Sequence, residues 1–140
     1  MNNEVIYRLL LSVVLGSLLG LERKSKEREA GPQTYSLVAL GTCLFAIVAI
    51  EMNRAFPGNF DVLRIIQAVA IGIGFIGGGV IFRQSSSVIG LTTAAGLWVA
   101  SAVGITVGLG FYSIAAFATF LSLVVFIGFG FLEVKFFKRD

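Results

Sequence analysis

Histidine is absent from this chain, cysteine occurs once, proline twice, and charged residues make up only 14% of 140. Each scarcity excludes something. Without histidine the chain lacks the commonest transition-metal ligand and the side chain that ordinarily titrates near neutral pH. Cys43 alone can form no intramolecular disulfide. Soluble domains carry roughly 25% charged residues, so a water-facing surface here would have to be built from Phe, Leu, Ile, Val and Gly. The formal charge of +3 is not gathered into a continuous basic face, which excludes a nucleic-acid binder.

What the chain does have is apolar length. Hydrophobic residues reach 56% and the mean hydropathy is +0.91. Lipid as solvent accommodates that composition if every backbone polar group is paired internally, as in a helix. A spanning helix needs about 20 residues, so the expected fold is all-α: one polytopic transmembrane bundle of five helices joined by short loops. No folded catalytic domain fits outside the bilayer.

The five apolar runs are residues 5–21, 33–50, 62–82, 88–109 and 111–132. The first could pass for a signal peptide, but its basic cluster follows the run and no small-residue cleavage site precedes Glu22. Ser12, Gly16 and Gly20 recur every four residues along it, a stripe suited to close helix contact. Glu22 to Glu29 and then Gly31-Pro32 make the first loop. The next holds Glu51, Met52, Asn53, Arg54, Pro57, Gly58, Asn59 and Phe60, part of which can lie along the interface. Asn59 or Asp61 is placed to cap the third run. Ser85-Ser86-Ser87 reads as a polar turn, with Ser87 as a candidate cap of the fourth. Only Gly108 to Gly110 turns between the last two runs, which predicts a tight antiparallel hairpin. A four-span reading, with one terminal segment in the interface, is the alternative.

Orientation follows from Lys and Arg in short loops. Arg23, Lys24, Lys26, Arg28, Arg83, Lys135, Lys138 and Arg139 fall on one side, eight against Arg8, Arg54 and Arg64 on the other. This predicts an external N-terminus and a cytoplasmic C-terminus. No internal repeat is present, so an inverted-repeat transporter is not indicated. A bundle this small buries little among its own members, which favours a homo-oligomer in membrane lipid.

Glycine is the densest signal. Gly72, Gly74, Gly77, Gly78 and Gly79 fall within eight residues of the third run, although glycine costs about 1 kcal/mol against alanine in a helix. Either this is a very close helix crossing, or the helix breaks and its backbone lines an ion or headgroup site. It is not a nucleotide loop, since no Lys-Ser/Thr follows. In the fourth run Gly96, Ala100, Gly104 and Gly108 make a smooth ridge, with Thr93 and Ser101 available for hydrogen bonds between helices. Trp98 stands on another sector near mid-helix, either facing lipid or filling a gap in the bundle.

The acidic groups sit at the ends of the runs. Asp61 and Arg64 are i, i+3 neighbours, and a role in fixing the depth and rotation of the third helix is expected of them. Glu22 and Arg23 sit at the inner mouth of the first run, where headgroup-level solvation or a weak ion pair is expected. An oxygen-ligand cation site from Asp61, Glu51 and backbone carbonyls is the one metal reading, and it would suit a hard cation such as Mg2+. Nothing in the sequence requires a cofactor. With no His-centred triad and no acidic cluster within a run, the chain does not read as an enzyme.

The ordered motifs resemble the transmembrane domain of the MgtC/SapB family. The match runs through Gly20-Leu21-Glu22-Arg23, Ala30-Gly31, Thr34, Leu37-Val38, Gly41, Asp61, Arg64 and Gly72 to Ile81. It closes on Gly90-Leu91-Thr92-Thr93-Ala94-Ala95, Trp98, Gly104 and Gly108. Where the family reads Gly-Leu-Arg-Thr-His after the first loop, this chain reads Gly31-Pro32-Gln33-Thr34-Tyr35, so no role of that Arg or His carries over. The family's Gln is displaced to Gln67, with Ala68 in its place. The soluble C-terminal domain of the MgtC branch is missing, which makes this look like a short form. The resemblance implies a multi-pass protein of the bacterial inner membrane, linked to survival at low magnesium. Some members are described as inhibitors of the membrane ATP synthase, and older descriptions call them magnesium transporters. The expected function is regulation through helix contacts with a membrane complex or its own oligomer, made by the Gly96/Ala100/Gly104/Gly108 ridge. A Mg2+-associated transporter or channel using Asp61 and the glycine-rich span is the alternative.

Overall fold

The computed structural model describes residues 3–25, 30–58 and 61–136. Five helices, each long and apolar enough to cross a bilayer, run in chain order: α1 (Asn3–Ser25), α2 (Pro32–Ala55), α3 (Val62–Gly79), α4 (Leu91–Gly108) and α5 (Tyr112–Phe136). The expected all-α bundle is therefore present. Asn59, Phe60, the loop residues 26–29 and the tail residues 137–140 lie outside the described residues.

α4 is the hub and packs against all four other helices. Its sequence explains why. Nine of its residues are buried, among them Gly96, Ala100, Ser101, Gly104 and Gly108. A Cβ at Gly104 would sit 2.1 Å from Thr42 Oγ1 and 2.2 Å from the Ala39 carbonyl oxygen. The smooth ridge therefore lets the backbones of α4 and α2 touch, and partner contact through this ridge is corrected, because its residues are buried within the chain. α1 docks on α2 in the same way through its own small-residue stripe, since a Cβ at Gly16 would lie 2.7 Å from the Tyr35 carbonyl oxygen. Two apolar clusters fill the bundle. Leu15, Cys43, Ile47, Val103, Val107 and Ala115 form one, and Leu19, Ala30, Tyr35, Leu97, Ala100 and Phe126 the other.

The connection between α3 and α4 departs from the expected spans. A third span to Phe82 and a fourth from Val88 are both corrected. α3 ends at Gly79, where the Val80 and Ile81 N–H groups bond back to the Gly77 and Gly78 carbonyls at 3.3 and 3.2 Å. Three consecutive glycines offer the helix little propensity to continue. The chain then forms a short hairpin, β1 (Phe82–Gln84) against β2 (Ser87–Ile89), paired antiparallel with Gln84 opposite Ser87. β-branched Val88 and Ile89 favour a strand over a first helical turn. Ser87 is therefore no helix cap; its hydroxyl donates to the Gln84 carbonyl at 3.1 Å. Gly90, at φ +90°, caps α4 instead. At the other end of the bundle α2 continues as helix to Ala55, so Glu51, Met52 and Arg54 are helical and not in a loop. The tight turn between α4 and α5 is present, with Gly110 at φ +88°.

Candidate functional site

Buried polarity gathers at the end of the bundle where α1 finishes and α4 begins. Of the two expectations for Glu22 and Arg23, the ion pair is present and headgroup-level solvation is corrected: Arg23 is only 3% exposed and the Glu22 side chain 7%. The buried face of α1 runs through Ser12, Leu15, Gly16, Leu19, Gly20 and on to Arg23, so helical geometry carries the guanidinium inward. Its Nη1 lies 3.5 Å from Glu22 Oε2, and its Nη2 donates to Thr93 Oγ1 at 3.4 Å. The Phe126 ring of α5 lies 4.8 Å from Cζ, a cation–π contact that gains strength away from water. The hydroxyl of Tyr35, itself fully buried, donates to the Thr93 carbonyl oxygen at 3.4 Å. Four helices thus meet on Arg23 and Thr93. The first turn of α4 also carries Thr92, which is exposed.

The glycines of α3 form a second candidate. They lie on a continuous helix, so the broken-helix reading is corrected. A close crossing within the chain is corrected too. Gly77 approaches Ala94 of α4, where a Cβ would lie 3.6 Å from the Ala94 Cβ, but Gly72, Gly74, Gly78 and Gly79 meet nothing within 4 Å. Only Ile73 and Gly77 of α3 are buried, and Phe75 is 88% exposed. Beside this helix an apolar groove of about 940 Å³ opens between α2 and α3, lined by Leu37, Gly41, Phe45, Ile65, Gly72 and Ile76. Trp98 projects outward and fills no gap in the bundle.

Asp61 is the N-cap of α3, its Oδ1 accepting the Leu63 N–H at 2.9 Å. Arg64 reaches Asp61 only at 4.0 Å and is exposed, so the pair is a solvated contact at the helix start. Glu51 accepts from Arg54 at 2.7 Å and borders a crevice with Glu4 and Arg8. The cation site expected of Glu51 and Asp61 gains no support, because among the described residues no group of three or more His, Cys, Asp or Glu could hold a metal ion. Sequence reading used Arg8 only in the charge count and missed its role in the bundle. It pairs with Glu4, donates to the Gly108 carbonyl at 2.7 Å and to Tyr112 Oη at 3.1 Å.

The MgtC family model matches residues 9–135. SrpB of Synechococcus elongatus is 37% identical over 133 residues, covering 88% of this chain and 73% of SrpB. SapB of Bacillus subtilis is 37% identical over 131 residues, 90% of this chain and 56% of SapB. MgtC of Salmonella typhimurium is 40% identical over 118 residues, 84% of this chain and 49% of MgtC. The chain thus spans about half the length of the latter two relatives. No solved structure matches it significantly.

Proposed function

Because the chain belongs to the MgtC family, we propose that it is a regulatory protein of the bacterial inner membrane that acts by binding and not by catalysis. Its α3 face docks on a helix of a membrane complex, such as the ATP synthase, or on a second copy of itself. The observation that carries this reading is the exposure of Gly74 and Gly78, which lie one turn apart on one face of α3 and at which an added Cβ would meet none of the described residues within 4 Å. Glycine weakens a helix by about 1 kcal/mol per residue, and contact with lipid returns none of it. Close approach of another helix does. The eight-to-three excess of Lys and Arg puts the hairpin and the C-terminus in the cytoplasm and the N-terminus outside.

Gly74→Leu and Gly78→Leu test this, because a Cβ at either position meets none of the described residues within 4 Å. Both variants should insert and melt no lower than the wild type, yet lose the oligomer or co-purifying partner and fail to support growth at low magnesium. Unchanged association and growth would overturn the reading. Purified protein in liposomes separates the transport alternative. Protein-dependent Mg2+ flux abolished by Asp61→Asn would replace regulation with transport.

A further inference from the structure

We propose that the start of α4 and the buried Arg23 form a binding site for a phosphate group on the side of the membrane where α1 ends. Three independent features converge there. A recess of about 270 Å³ is lined by Arg23, Ile89, Gly90, Leu91, Thr92 and Thr93. Arg23 is 3% exposed, and its Nε has no hydrogen-bond acceptor among the described residues. α4 begins without a side-chain cap, so the recess adjoins the N–H groups of a first helical turn.

The guanidinium fork explains the choice of ligand. Glu22 meets Nη1, while Nη2 makes a long 3.4 Å contact with Thr93 Oγ1. In a planar guanidinium the Nε and Nη2 protons share one edge, spaced to meet two oxygens of a phosphate or carboxylate. Phe126, on the guanidinium face, holds that plane in place. The helix supplies the rest: first-turn N–H groups and the positive end of the helix dipole attract anions. The protein cannot fill this position from its own cap, because a Cβ at Gly90 would lie 1.9 Å from the Val80 carbonyl oxygen. A Ser, Asp or Asn is therefore excluded where such residues usually satisfy the helix start.

Depth selects phosphate among the oxyanions. Arg23 is the last residue of the first membrane-crossing segment, and Leu91 is the first residue of the fourth. The recess therefore lies at the level where phospholipid headgroups sit. Thr92 adds an exposed hydroxyl at the mouth. The same chemistry would take a lipid phosphate or free inorganic phosphate.

The test uses the full chain, purified in a neutral detergent, in two arms at constant ionic strength. In one, inorganic phosphate is titrated against chloride while thermal unfolding is followed. In the other, the detergent micelles are doped with phosphatidylglycerol or phosphatidic acid and compared with micelles doped with diacylglycerol, which carries no phosphate. Two variants accompany the wild type. Thr92→Glu places a carboxylate in the first turn, where helices favour it, and so occupies the anion position without harming the fold. Arg23→Lys keeps the charge but removes the fork. We expect stabilisation of the wild type in at least one arm, and apparent affinity about tenfold weaker in Thr92→Glu, equivalent to a loss of about 1.4 kcal/mol. A response in both arms identifies the phosphate group itself as the ligand, and one confined to the phospholipid-doped micelles identifies the lipid. Phosphate also stabilises proteins generally by exclusion from their surface, so an equal response in the wild type and in Thr92→Glu overturns the proposal. So does a wild type unmoved in both arms. If Arg23→Lys fails to fold, Thr92→Glu alone decides.

Discussion

Arg8 of α1 donates from Nη1 to the carbonyl oxygen of Gly108 at 2.7 Å, so the first helix holds the last carbonyls of the fourth. The same side chain donates from Nε to Tyr112 Oη at the start of α5. A cation at a helix C-terminus is favourable in itself, and here it also ties three helices together at one end of the bundle. Arg8→Met keeps the apolar stem and removes both bonds. The expected loss is about 2 kcal/mol, typical of a hydrogen bond to a charged group, read as a lower melting temperature in detergent. Arg8→Lys should recover only part of it, because its three donors sit on one nitrogen and cannot reproduce the separate Nε and Nη1 positions of the guanidinium. A melting temperature for Arg8→Met equal to the wild type would reduce Arg8 to a solvated surface charge.

Glycines of similar sequence context should respond in opposite directions. At Gly104 an added Cβ meets backbone of α2, and Gly104→Ala is expected to destabilise by about 1–3 kcal/mol, as overpacking does. At Gly74 the Cβ meets nothing, so Gly74→Ala should stabilise the isolated chain by up to about 1 kcal/mol through helix propensity. Comparative unfolding of the two variants in the same detergent decides the matter. A loss of stability at Gly74 would mean that α3 is held far more closely than its exposure indicates.

Gly96 and Tyr35 should be energetically coupled. A Cβ at Gly96 would lie 2.2 Å from the Tyr35 hydroxyl and 2.8 Å from Phe126. Tyr35→Phe removes the first obstacle and the bond to the Thr93 carbonyl, at a cost of about 1 kcal/mol. Gly96→Ala should then be less damaging in the Tyr35→Phe background than in the wild type. A double-mutant cycle measures this, with a coupling of about 0.5–3 kcal/mol expected for groups in contact. Strict additivity would show that Phe126 alone sets the requirement for glycine.

Asp61 should matter as a cap more than as half of an ion pair. Asp61→Ala is expected to cost about 1 kcal/mol, while Asp61→Asn, another good cap, should cost little. Arg64→Ala should be nearly silent, as exposed pairs usually are. Hydrogen exchange at the Leu63 amide is the direct readout. Equal protection in Asp61→Ala and the wild type would remove the cap from the account.

The bundle itself was legible because its signals are long. Five apolar runs, the Ser12/Gly16/Gly20 stripe and the Gly96 to Gly108 ridge each repeat at helical spacing, and the structure uses both stripes for contact between backbones. The link from Val80 to Gly90 was not legible, because a few apolar residues ending or starting a hydrophobic run look like helix until pairing across Ser85-Ser86 is known. Arg23 shows a different failure. Its charge suggested an exposed position, although its place three residues after Gly20 continues the buried stripe of α1. Periodicity outweighed residue type there. For the glycines of α3, composition signalled close contact, but among the described residues only Gly77 approaches another helix, and a single sequence cannot say whether a contact lies within one chain.

The Thr42 hydroxyl has one proton and two acceptors in reach: the Ser101 carbonyl of α4 at 2.9 Å and the Ala39 carbonyl of its own helix at 3.2 Å. This has a consequence for the order of events during synthesis. α2 enters the bilayer well before α4 has been made, and a lone hydroxyl in hydrocarbon is costly. The bond to Ala39 is available from the start, because a threonine in a helix can always turn back to the preceding turn. Thr42 can thus wait in lipid with its proton engaged and hand it to Ser101 when α4 arrives. The exchange trades one carbonyl for another, so the nascent helix carries no orphaned donor while its neighbour is still on the ribosome.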